Sequence, residues 1–103
     1  MTIKSLLIAG ALLVSATVAN AADHVVTIKG FAFEPAVLTI AAGDSVTFVN
    51  EDGAPHTATA NNGAFDTGNL GRGDQSKLTF SAAGTFDYFC SVHPNMTAQI
   101  VVQ

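Results

Sequence analysis

The sequence predicts an all-β domain, a sandwich or a barrel. Three observations point there. Short runs rich in β-branched and aromatic residues recur along the chain, and turn-forming residues separate them at short intervals. No helical stripe of useful length, internal repeat or linker interrupts the pattern.

The elements follow in order. Val25–Ile28 is β-branched and reads as the first strand. Val37–Ile40 and Ser45–Val49 flank the turn Ala41-Ala42-Gly43-Asp44. Over Ser45-Val46-Thr47-Phe48, polar and apolar residues alternate, the signature of a half-buried strand. Thr57–Ala60 and Ala64–Thr67 flank Asn61-Asn62-Gly63, whose Asn-Gly pair signals a tight turn. Lys77–Phe80 alternates as well, Ala82-Ala83-Gly84 turns the chain into Thr85–Phe89, and Thr97–Val102 closes it. Most of the phenylalanines at 31, 33, 48, 65, 80, 86 and 89 are expected to be core.

The chain's start reads differently. Lys4 precedes an apolar run from Leu6 to Val18, and Ala19-Asn20-Ala21 is a small-x-small processing pattern. This is the pattern of a secretory signal peptide. The run is short of the about 20 apolar residues a membrane span needs, so no stable membrane insertion is expected. Cleavage is expected after Ala21, leaving 22–103 as one small exported domain in the periplasm. That domain carries Lys29, Arg72 and Lys77 against eight carboxylates. An acidic surface of this kind excludes the clustered basic residues that nucleic-acid binding needs. It suits solubility and steers charged partners.

A domain this small and exported commonly supplements its core with disulfides or a metal. Cys90 is the single cysteine and has no internal partner, which favours a metal-ligand role. It opens the stretch Cys90-Ser91-Val92-His93-Pro94-Asn95-Met96, directly after an expected strand. Pro94 stiffens the loop and stops the strand from continuing. One tight loop thus carries a thiolate, an imidazole and a thioether. His56, in the loop Asn50–Thr57 shaped by Gly53 and Pro55, supplies a second imidazole. Two imidazoles, a thiolate and a weak axial methionine are the donor set of a blue-copper electron-transfer site. Soft sulfur favours Cu(I), imidazole serves both oxidation states, and a fixed framework keeps reorganisation small.

These stretches carry a family resemblance. Ala42–Asn50, Pro55-His56-Thr57 and Gly84–Met96 resemble the cupredoxins, most closely the small amicyanin and plastocyanin-like members. The resemblance spans nearly all of the expected mature chain. It implies a Greek-key β-sandwich with one type 1 copper at one end, and His56, Cys90, His93 and Met96 as ligands. It further implies that the His93 ring edge is the electron port, with Pro55, Val92 and Pro94 as candidates for the apolar patch around it.

Two positions depart from the family pattern. Val92 stands where those relatives usually have proline, and its N–H is a candidate second donor to the Cys90 sulfur. A second donor would raise the reduction potential, so Val92→Pro is expected to lower it. Thr57 stands where asparagine is frequent, and its hydroxyl can still tie the two ligand loops together. Asn50 reads equally as a support of the site and as a strand-end turn residue.

Other signals carry less. Arg72-Gly73-Asp74 spells an integrin-binding tripeptide and Asn95-Met96-Thr97 a glycosylation pattern, both expected to be coincidental. Gly68, Gly71 and Gly73 do not make a phosphate loop, because the lysine and the following helix are missing. If processing falls after Ala21, the amino-terminal Ala22-Asp23-His24 is a candidate square-planar Cu(II) site. The leading expectation is a diffusible, monomeric one-electron carrier, without enzymatic activity, serving redox partners such as a cytochrome c or a periplasmic dehydrogenase. The competing expectation is a copper-binding or delivery protein, which would favour exposed, methionine-rich sites. A Cys–His enzyme is disfavoured, because no orienting third group is evident and catalytic pairs are usually distant in sequence.

Overall fold

The computed structural model describes residues 20–103, so the expected signal segment up to residue 19 lies outside the described residues. The strands are β1 (Asp23–Ile28), β2 (Phe33–Glu34), β3 (Val37–Ile40), β4 (Ser45–Asn50), β5 (Thr59–Ala60), β6 (Gln75–Thr79), β7 (Gly84–Phe89) and β8 (Thr97–Val102). They form two four-stranded sheets, ordered β2-β1-β4-β6 and β3-β8-β7-β5. The β1/β4 and β3/β8 pairs are parallel and the others antiparallel. Parallel neighbours require crossovers between sheets, and from β2 to β7 each connection makes one. The all-β sandwich expected from the sequence is therefore the observed fold.

Alternation decides what goes inside. Val26 and Ile28 of β1 and Val46 and Phe48 of β4 face Tyr88 of β7 and Ile100 and Val102 of β8 across the core. Phe48 and Tyr88 meet edge to face with centroids 5.7 Å apart. Four loops gather at one end, because β1 and β4 finish in register there (Ile28 beside Asn50) and β6 begins beside Val49. They are the 29–32 turn, the 51–58 loop, the segment before β6 and the 90–96 loop.

Two strand expectations need correction. Ala64–Thr67 forms no strand: a single bridge joins Thr59 to Asp66. Polar side chains take over the backbone there, since Asp66 accepts from the Gly68 amide and Thr67 Oγ1 from the Ala58 amide. Thr57–Ala60 narrows to Thr59–Ala60, while His56 bridges to Leu70. The turns expected at Gly43 and Asn62-Gly63 are present, closed by Asp44 N to Ala41 O (3.0 Å) and Gly63 N to Ala60 O (3.1 Å). A further turn, Gly30-Phe31, has no Asn-Gly signal. Both residues have positive φ (63° and 58°), as a two-residue hairpin turn between β1 and β2 demands. Lys29 and Ala32 close it with reciprocal backbone bonds.

Candidate metal centre

Cys90 follows β7 directly and is fully buried. Its amide donates to Met96 O (3.0 Å) and the Met96 amide to His93 O (2.9 Å), so the 90–96 loop closes on itself. Met96 is buried, while His93 is half-buried. His56 is fully buried at the end of the loop that follows β4.

His56 Nδ1, His93 Nδ1 and Cys90 Sγ face one another, with 3.2 Å between the nitrogens and 3.7 and 3.8 Å from sulfur to each. The point equidistant from the three lies about 2.1 Å from each, the range in which first-row metal ions are bound by nitrogen and sulfur. The residues present therefore fit a trigonal metal site. His56 is also tautomerically prepared. Its Nε2–H donates to Asp52 Oδ2 (2.9 Å), which leaves Nδ1 as a bare lone pair.

The 51–58 loop is fixed from inside. Asn50, fully buried, donates through Nδ2 to Ala54 O (2.9 Å) and Leu70 O (2.7 Å) and accepts at Oδ1 from the Asp52 amide. Asn50 thus holds both the path of the loop and the carboxylate that orients His56. Thr57 does what its hydroxyl promised. Oγ1 accepts from the Ser91 amide (2.8 Å), and the Thr57 amide donates to Cys90 Sγ (3.3 Å). The Val92 expectation is corrected: among the described residues, the Thr57 N–H is the backbone donor to the sulfur and Val92 makes no such bond. Val92 instead lies 42% exposed on the outside of the loop.

Asp52 and Phe31 stand against the site, a placement that the sequence reading missed. Asp52 accepts from the Phe31 amide (2.9 Å) and the Gly30 amide (2.8 Å) besides the His56 ring. The Phe31 and Gly30 amides, with the His56 ring, hold its carboxyl below the ordinary carboxylate value against the opposing effect of burial. Phe31 is not core: it is 52% exposed, with its ring edge-on to both His56 (centroids 5.0 Å) and His93 (4.9 Å). A left-handed phenylalanine costs about 1 kcal/mol or more. Pro55, Val92 and Pro94 are exposed, as expected.

The candidate amino-terminal copper site fits poorly. Asp23 and His24 are already paired with Ser45 and Val46 in the β1/β4 ladder. His24 Nε2 also meets Asp44 Oδ2 at 2.9 Å. Wrapping an ion in these amides would undo the start of β1. Asp44 accepts the Ala22 and Ala41 amides as well, and the Ala22 amide, the His24 ring and the Ala41 amide lower its pKa to about 2. Arg72 lies over Gly53, where a Cβ would fall 2.6 Å from its Nη2, so this arginine packs on the 51–58 loop.

A β-sandwich with a preformed trigonal imidazole–imidazole–thiolate triangle at one end defines a small metal-binding β-protein of the redox type. The chain belongs to the cupredoxin-like domain family, whose model matches residues 3–102. It is 37% identical over 89 residues to amicyanin of Paracoccus denitrificans, covering 77% of this chain and 64% of that one. Plastocyanins are further relatives. A reduced amicyanin variant superposes with a TM-score of 0.73 at 33% identity, covering 86% of this chain and 89% of that one. The copper-containing nitrite reductase of Thermus scotoductus gives 0.74 at 34% identity, covering 79% of this chain and 22% of the enzyme.

Proposed function

We propose that this protein is a periplasmic type 1 copper protein that carries single electrons between redox partners. His56, Cys90 and His93 would hold the copper, with Met96 as the fourth ligand. The observation that carries this reading is the triangle of Nδ1, Nδ1 and Sγ, with edges of 3.2 to 3.8 Å. Bound there, copper supplies a Cu(I)/Cu(II) couple. The chain's own residues supply the rest. Thr57 N–H donates to the sulfur and tempers its donation to the metal. Asn50 and Asp52 fix His56, so the site reorganises little on redox change. Burial of Cys90 and His56 excludes water, while His93, rimmed by Phe31, Pro55, Val92 and Pro94, provides the electron exit.

The signal segment is removed after Ala21, and 22–103 is the working domain. It acts as a monomer with partners such as a cytochrome c or a periplasmic dehydrogenase. It is not an enzyme: the match to the nitrite reductase takes in only 22% of that chain. Copper delivery fits less well, because Cys90 and His56 are fully buried rather than exchangeable. The test is visible absorption and EPR of the purified domain after adding Cu(II). An intense blue thiolate-to-copper band with narrow copper hyperfine splitting is expected. A pale product with a tetragonal Cu(II) signal overturns the reading.

A further inference from the structure

Phe31 occupies a place that the backbone would give to another residue. It is the second of two consecutive positive-φ residues in a two-residue hairpin turn, where glycine is the favoured choice. The strain is not offset by burial, since the ring is half exposed. It is offset by contacts of another kind. The ring stands edge-on to both imidazoles, at interplanar angles of 89° to His56 and 81° to His93. The turn that carries it is held by the same carboxylate that orients His56, because Asp52 takes the Gly30 and Phe31 amides and the His56 Nε2–H together. Backbone strain kept in place by surrounding bonds, beside a functional site, points to a role in that site.

The two imidazoles differ in need. His56 is buried and hydrogen-bonded at Nε2, whereas His93 is half-buried and no protein hydrogen bond to its Nε2 is formed among the described residues. Only packing restrains the outer edge of the His93 ring, and Phe31 supplies it.

We propose that Phe31, bracketed by Asp52, is a positioning residue that keeps the His93 imidazole turned toward the metal in the metal-free and the metal-bound protein alike. Its task is to preorganise the site and slow metal loss, beyond any contact it makes with a redox partner. The proposal rests on the metal-centre reading above for its copper readout, and on the metal-free protein for its other one.

Phe31→Gly tests it, because glycine suits the backbone and removes the ring. The thermal midpoint of the metal-free variant is expected to hold or rise, since the strain is relieved. Transfer of Cu(I) from the variant to excess bicinchoninate is expected to be about tenfold faster, the lower end of the effect of removing a group that orients a metal ligand. In the metal-free protein, NMR relaxation dispersion of the His93 ring is expected to show new exchange between conformers. Phe31→Tyr, which keeps the ring, is expected to restore slow release and a quiet His93. Unchanged release together with an unchanged His93 overturns the proposal and leaves Phe31 as partner surface. A fall in thermal midpoint without faster release assigns it to folding and overturns it equally. If no blue copper centre forms, the metal-free relaxation measurement alone decides.

Discussion

The two ligand-bearing loops solve the same problem in opposite ways. The 51–58 loop is wired by side chains: Asn50 spans it with three hydrogen bonds, and Asp52 locks the His56 ring. The 90–96 loop is short and held by backbone bonds between its own ends, with Thr57 reaching across to the Ser91 amide. His56 is accordingly sealed and His93 half-open. A redox site needs both conditions at once. One imidazole must resist movement so that the metal's surroundings stay fixed, and the other must approach the surface so that an electron can leave. The difference teaches that rigidity and access are divided between loops rather than compromised within one.

The comparison can be broken most completely at Cys90, which both loops share. Cys90→Ser is expected to abolish the intense visible band entirely while the β-sheet circular dichroism remains, and a surviving band would remove sulfur from the site. Asn50→Ala strikes the wired loop. It strands the Ala54 carbonyl and the Asp52 amide and takes one of two donors from the Leu70 carbonyl, which keeps the His56 amide, and is expected to cost about 3 kcal/mol in urea unfolding. A loss under about 1 kcal/mol would show that the loop holds its path without the amide. Thr57→Val removes the hydroxyl that ties the 51–58 loop to Ser91 through its amide and its Oγ. About 1 to 2 kcal/mol should be lost, because the Ser91 N–H is left unpaired. The Thr57 backbone donor to the sulfur survives, so the position of the visible band should stay almost unchanged.

Asp44 provides a control at the far end of β4 from both loops. Its folded pKa lies near 2 against an ordinary 3.8, so its contribution to stability is full above pH about 4 and is lost as the pH falls through about 2. The groups facing it are the Ala22 and Ala41 amides and the His24 ring. Asp44→Asn should lower stability at neutral pH and flatten the acid limb of the unfolding curve, without altering copper spectra. The smallest expected effect is at Val92. Because its N–H makes no bond to the sulfur, Val92→Pro should leave the reduction potential close to that of the parent, measured by equilibrium redox titration. A clear drop would restore the role the sequence suggested for it.

Much of this was legible because it is local. Alternation of apolar residues marked β4 and β6, and Gly43 and Asn62-Gly63 marked turns, since both signals depend on neighbours in the chain. Cys90, His93 and Met96 stood out for the same reason: they share one loop. Ala64–Thr67 misled because Asp66 and Thr67 bond the backbone with their own side chains, a competition that hydrophobic pattern does not register.

The sequence by itself determined that the chain makes short strands around an apolar core and that one tight loop carries three soft and borderline donors. Only the tertiary structure decided that Asp52 serves both His56 and the turn at Phe31, that Thr57 rather than Val92 donates to the sulfur, and that Phe31 leaves the core to stand against two imidazoles. The physical reason is distance along the chain. Asp52 and Phe31 lie 21 residues apart, and Thr57 and Cys90 lie 33 apart. Which of many polar groups become partners at that separation depends on how the two sheets bring the loop ends together.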